Sequence, residues 1–175
     1  SDSFPIETSI ESFRREGWNA LYKGDSDLVH LANTFLPRLN KKTKPAAAEL
    51  VLAIDALYHE WIQPHCLDDY VLCHHDARQS NIAWHPEEGV KIVDWSWAGF
   101  GPKNADATNF LIDMHKSGHD ITPYLDRVNP HHCLTLIGFL LAHSTWPIRG
   151  NDDSVRFQQF VSAVSAYEVY KTVTG

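Results

Sequence analysis

The spacing of apolar residues changes period twice along this chain, and that change bounds what it can fold into. Thr8 and Glu11 have capping-box spacing, and Ile10, Phe13, Leu21 and Tyr22 then share one helical face until Gly24 stops it. A second helix is predicted from Asp25 or Ser26, with Leu28, Leu31, Ala32 and Phe35 on one side and Pro37 ending or kinking it. A third opens at Lys44-Pro45 and carries Leu50, Ile54, Leu57 and Trp61 at helical spacing up to Pro64. The period then shortens. "YVLC" at 70–73, "IAW" at 82–84 and "VKIVD" at 90–94 read as short strands, the last two joined by the turn-rich "HPEEG". Helical spacing returns around 105–117, at about 131–145 behind Asn129-Pro130, and from Asp152 or Asp153 to about 172. The expected fold class is mainly α with a small β-hairpin element, α+β. It is expected as one domain of 175 residues, helical over 1–69, strand and loop over 70–103, and helical over 104–175.

The remaining bulk properties exclude several functions. The longest apolar run, "LIGFLLA" at 136–142, is far shorter than the ~20 residues that cross a bilayer, so no membrane span is predicted. Three cysteines make no disulfide framework and the "SDSFPIE" start is not a secretory pattern, so a cytoplasmic setting is expected. A formal charge of −7, with no basic stripe beyond "NKKTK" at 40–44, argues against nucleic acid as a partner. An acidic surface favours a cationic ligand if it favours any, although it also serves solubility.

Chemistry is concentrated between the strands. "HHDARQSN" at 74–81 offers Asp76 and Asn81 on a loop, and "VDWSWAG" brings Asp94 at the end of a following strand. Hard oxygen ligands of this kind suit Mg²⁺, which keeps several waters and is completed by substrate phosphates. A carboxylate left off the metal can take a proton from a hydroxyl nucleophile. Taken singly, Asp76 and Asn81 are ordinary loop residues that bond their own backbone; in register with Asp94 and Asp106 they read as a site.

Together these stretches resemble the aminoglycoside phosphotransferase and choline kinase-like family, relatives of the protein kinases. Its members carry an H-G-D…N catalytic loop, matched here by His74, His75, Asp76 and Asn81. Their metal motif is matched by Val93, Asp94 and Trp95, then Ala98, Gly99, Gly101, Pro102 and Asp106. The resemblance implies that Asp76 is the catalytic base and that Asn81 and Asp94 hold Mg²⁺ on ATP. It implies that His74 braces the loop, Asp106 anchors it, and Ala83 lies at the apolar floor of the adenine pocket. The implied partner is a small-molecule hydroxyl acceptor, neutral or cationic.

The sequence departs from the pattern in two ways. His75 replaces the glycine of H-G-D, which removes a permissive backbone position or adds a titratable group near the base. No Gly-rich phosphate loop, nucleotide-binding lysine or preceding sheet is found either, so the chain is expected to be the C-terminal lobe only, with the N-terminal nucleotide lobe missing. The absence of an initial Met fits a truncated or processed chain. Two other readings stay open: a noncatalytic single-lobe binding module, and a zinc-dependent hydrolase built on Cys66, Cys73, His59, His65, His74, His75 and His85. Trp84, Trp95 and Trp97 are read as core and strand packing. Asp113, Asp120, Asp152 and Asp153 could meet a cationic acceptor or serve as helix caps.

Overall fold

The computed structural model describes residues 17–22, 25–63, 70–147 and 152–175. The helix predicted from Thr8 lies mostly outside them, as do Gly24, Pro64, His65 and Cys66. What is described of that helix is α1, Trp18–Leu21, whose Trp18 and Leu21 are both buried.

The second helix has a composite form. It begins as α2, Asp25–His30, widens into a π-helical turn at Leu31–Phe35, and tightens into a 3-10 turn at Leu36–Arg38. The wide turn brings Leu31 and Phe35 into the core together. Pro37 ends nothing by itself, because it sits in the first turn of the 3-10 segment, where a missing N–H leaves no bond unmade. The chain leaves the helical path at Leu39, which is extended. Helix α3, Lys44–Trp61, buries Leu50, Ile54, Leu57 and Trp61, the four residues its periodicity singles out.

Two antiparallel strand pairs follow in place of the single hairpin expected. β1, Tyr70–Cys73, pairs with β4, Gly99–Pro102, in the register Leu72 to Phe100; β2, Ile82–His85, pairs with β3, Gly89–Ile92, in the register Trp84 to Val90. Gly89, at φ +75°, closes the β2–β3 turn. β3 stops before Val93 and Asp94, since Asp94 has φ +62° and leaves the strand conformation.

Three long helices complete the fold: α4, Ala105–Lys116; α5, Pro130–Ser144; and α6, Ser154–Thr174. Pro130 occupies the first turn of α5, and the Asn129 side chain caps it by accepting the His132 N–H at 3.0 Å. α5 is buried nearly all round, as its apolar sequence requires, and packs against α6 through Ile137, Leu141, Val164 and Val169 among others. α1 lies across α5: Trp18 donates its indole N–H to the Leu134 carbonyl at 2.8 Å and rests on Gly138, where a β-carbon would come within 2.5 Å of the ring. The result is a mostly helical α+β fold with its core among α1, α3, α5 and α6, and with the strand pairs set at the start of α4. No helix among the described residues is long and apolar enough to cross a membrane.

Candidate functional site

The loop after β1 is held by its own backbone as much as by its side chains. Asp106, in the first turn of α4, accepts the His74 N–H at 2.7 Å on one carboxylate oxygen and the His75 N–H at 2.8 Å on the other. An acid in that turn is also favoured by the helix dipole. His74 is fully buried. Its Nε2 lies 2.9 Å from the Val93 carbonyl and its Nδ1 lies 3.2 Å from the Asp76 N–H. A carbonyl can only accept and an amide N–H can only donate, so the ring proton is on Nε2 and Nδ1 is the acceptor. Trp95 stands edge-on to this ring at 4.8 Å.

His75 has φ +63°, the left-handed region that favours glycine, so a histidine is held in a glycine-like conformation at the motif's glycine position. The ring fills the space over Gly101, where a β-carbon would come 2.4 Å from its Cε1. Burial pushes the His75 pKa down, opposed by the charge of Asp106 and the carbonyls of Phe100 and Gly99. The His75 ring lies 6.4 Å from that of His132.

The Asp76 carboxylate has two neighbours: Asn81 Nδ2 donates to one oxygen at 2.8 Å, and Arg78 Nε lies 3.1 Å from the other. The same Asn81 nitrogen donates to the Asp76 carbonyl at 2.9 Å, and the Asn81 carbonyl accepts the Val93 N–H at 2.9 Å. Val93 is therefore gripped on both sides, by Asn81 through its N–H and by His74 through its C=O. Asp94 follows directly, exposed, with one carboxylate oxygen accepting from Ser96 Oγ at 2.7 Å. His74, Asp76, Asn81 and Asp106 thus form one hydrogen-bonded unit, and Asp94 joins it through the backbone of Val93.

Among the described residues no three His, Cys, Asp or Glu side chains gather into a metal-binding group. Mg²⁺ in a nucleotide site needs fewer protein ligands, since water and phosphate oxygens complete its shell. The donor set fits that case. Both Asn81 Nδ2 bonds fix the amide so that Oδ1 is the atom left over, apart from a 3.5 Å contact with Ser80 Oγ, and Asp94 supplies an exposed carboxylate. The described members of the thiolate and imidazole set do not gather: Cys73 is buried in β1 with its thiol pushed up to about 11 by burial, and His59 is exposed on α3 beside Asp55; His65 and Cys66 lie outside the described residues.

His75 and Asp76 form one wall of a cavity of about 740 Å³ between α4, α5 and α6. Asn109 and Asp113 of α4 face it, as do Phe139 and His143 of α5 and Trp146 just beyond. Burial pushes the Asp113 carboxyl up, but the Gln79 N–H at 2.9 Å and Lys116 at 3.0 Å outweigh it and hold the pKa low. Of the other acids, Asp120 and Asp152 accept the Thr122 and Ser154 N–H groups, and Asp153 pairs with Arg38 at 2.6 Å. The first two are local turn contacts and the third ties the start of α6 to the 3-10 turn at Leu36–Arg38. The tryptophan reading needs correction: Trp84, Trp95 and Trp97 are 72%, 51% and 47% exposed, and Trp97 lines the cavity. Strands this short and lightly covered leave large rings at the surface.

Sequence reasoning missed Arg78, Asn109 and the ring series Phe139, His143 and Trp146. Phe139 and His143 stand at helical i, i+4 spacing, but in a helix apolar all round that spacing does not say which face meets a cavity. His132 is buried, with Nε2 donating to Asn109 Oδ1 at 3.1 Å. Burial, reinforced by His75 and His131, lowers its pKa from 6.5 to about 3. Between those values the unfolded chain binds the proton and the folded one does not, so stability is lost as pH falls below 6.5. Urea denaturation is expected to show a loss of about 2 kcal/mol between pH 6.5 and 5 from this group, and His132→Gln should flatten that slope.

The profile of the phosphotransferase enzyme family matches residues 19–129. Comparisons with curated proteins and with solved structures give no match.

Proposed function

Because the chain belongs to the phosphotransferase enzyme family, we propose that it is the catalytic and acceptor-binding lobe of an ATP- and Mg²⁺-dependent O-phosphotransferase acting on a small-molecule hydroxyl. The observation that carries this reading is the position of the Asp76 carboxylate. It lies on the wall of the cavity and is held by Asn81, whose carbonyl in turn holds the strand end that presents Asp94.

In this reading Asp76 accepts the proton of an acceptor hydroxyl entering from the cavity. The acceptor oxygen bonds to the γ-phosphorus as the bond to the ADP oxygen breaks. Asn81 Oδ1 and Asp94 would hold Mg²⁺, whose chemistry is to neutralise the phosphate oxygens and orient them. His74 positions both loops, Asp106 anchors the first, and Arg78 fixes the Asp76 carboxylate while adding positive charge where the phosphoryl group arrives. Ala83, across β2–β3 from Lys91, would border the adenine.

The lobe assignment has its own support. Leu72, Trp84, Val90 and Trp95 are large apolar side chains left exposed on and beside the strand pairs, a surface that a nucleotide lobe would cover.

Calorimetric titration with Mg²⁺-ATP, on this chain and on Asp94→Ala, tests the site. Saturable binding that requires Mg²⁺ and weakens at least about tenfold in the variant is expected, the order of one lost charge-assisted contact. Binding indifferent to both Mg²⁺ and Asp94 would overturn the assignment.

A further inference from the structure

The cavity beside Asp76 carries more information than its position. We propose that the acceptor is an uncharged hydroxyl compound with a flat aromatic or apolar face, laid against the rings at the end of α5 and bonded through a second oxygen to Asn109. The fate of its hydroxyl rests on the phosphotransferase reading; its chemical class rests on the cavity alone.

Charge argues first. Two carboxylates line the cavity, and each has a cation that lines it too: Asp76 with Arg78 at 3.1 Å, and Asp113 with Lys116 at 3.0 Å. Asp113 also accepts the Gln79 N–H at 2.9 Å. Arg156 sits 5.8 Å from the Trp146 ring centroid, adding a third cation near the rim. A cationic acceptor would have to break a pair before gaining one.

The α5 side offers rings. Phe139 and His143 have centroids 4.0 Å apart, and His143 and Trp146 have centroids 3.9 Å apart, so three rings run in series along one wall. Leu136, Leu140 and Val155 extend the apolar surface. These walls lie beyond the residues the family profile matches, 19–129, where acceptor preference is free to differ between relatives.

The polar contact is equally specific. Asn109 Oδ1 accepts from His132, while its buried Nδ2 has no hydrogen-bond acceptor among the described residues. An amide N–H in that state favours an oxygen from the ligand, and discriminates strongly against a compound without one. A protonated amine would place a donor against a donor, and a quaternary ammonium would bring no acceptor.

The test is a binding measurement without nucleotide: calorimetry with 2-(6-methoxy-2-naphthyl)ethanol, which carries a second oxygen on its flat face, as the aryl alcohol, compared with choline and with kanamycin. The aryl alcohol is expected to bind at least tenfold more tightly than either cation. Trp146→Ala should weaken it at least fivefold with unchanged circular dichroism; Phe139→Leu reads the same wall if that variant does not fold. Lys116→Met, which releases Asp113, should raise choline binding several-fold and leave the aryl alcohol unchanged. Equal or tighter binding of a cation, no saturable aryl alcohol binding, or binding indifferent to the ring variants would overturn the proposal. Failure of Mg²⁺-ATP to bind would instead count against the phosphotransferase reading and leave this result standing.

Discussion

Asp76→Asn, made in the enzyme that includes the nucleotide lobe, is expected to lower phosphoryl-transfer turnover about 10³-fold, the size associated with removing a positioned general base. The replacement keeps the shape of the side chain and can still meet Asn81, so the loop should hold. It removes the charge that pairs with Arg78 and that, under the proposed mechanism, would receive the hydroxyl proton. Because the loss falls on the chemical step, kcat and kcat/KM for the acceptor should drop together, while Mg²⁺-ATP affinity changes little. Steady-state kinetics with the substrate set fixed would check this. A variant retaining more than a tenth of the turnover would mean that Asp76 is not the base.

The largest expected effect on stability lies far from that carboxylate. Trp18→Ala should cost about 4 kcal/mol in urea denaturation, within the range for emptying a buried large aromatic site. Trp18 is buried in the core and its indole N–H is spent on Leu134, so the change removes packing and the indole hydrogen bond to that carbonyl. The seat opposite it is Gly138, so α5 accepts the helix-weakening effect of glycine, about 1 kcal/mol relative to alanine, to let the ring approach. A cost below about 1 kcal/mol would show that α1 adds little to the core.

The fold was readable where one physical rule dominated. Leu50, Ile54, Leu57 and Trp61 repeat with the helical period, and the helix they define buries all four. Asn129-Pro130 supplies both a cap and a ready-made first turn, and α5 starts there. β4 escaped because Gly-Phe-Gly-Pro has the composition of a turn; it is a strand through pairing with β1, a long-range fact that local composition does not carry. The π-helical turn at Leu31–Phe35 escaped for a related reason, since Leu31 and Phe35 are also four apart in an ordinary helix.

For the site, motif spacing named His74, Asp76, Asn81, Asp94 and Asp106, and four of these meet in one hydrogen-bonded unit. Their mode of connection was not legible, because it runs through the backbone of Val93, whose side chain contributes nothing to the motif's chemistry. His75 shows the reverse case. The sequence exposed the departure from glycine, and the structure shows the histidine in a left-handed conformation, with Gly101 providing the room for its ring. The cavity walls on α5 and α6 come from tertiary packing alone.

Asp106 has a consequence for the order in which this molecule comes apart. The amides of His74 and His75 are both tied to a carboxylate in the first turn of α4, rather than to a neighbouring strand. Their exchange with deuterium therefore requires that turn to open, so they should report the opening of the helix and not the fraying of the strand pairs. The backbone of the loop that leads to Asp76 belongs, in this sense, to the cooperative unit of the helices rather than to that of the strand pairs.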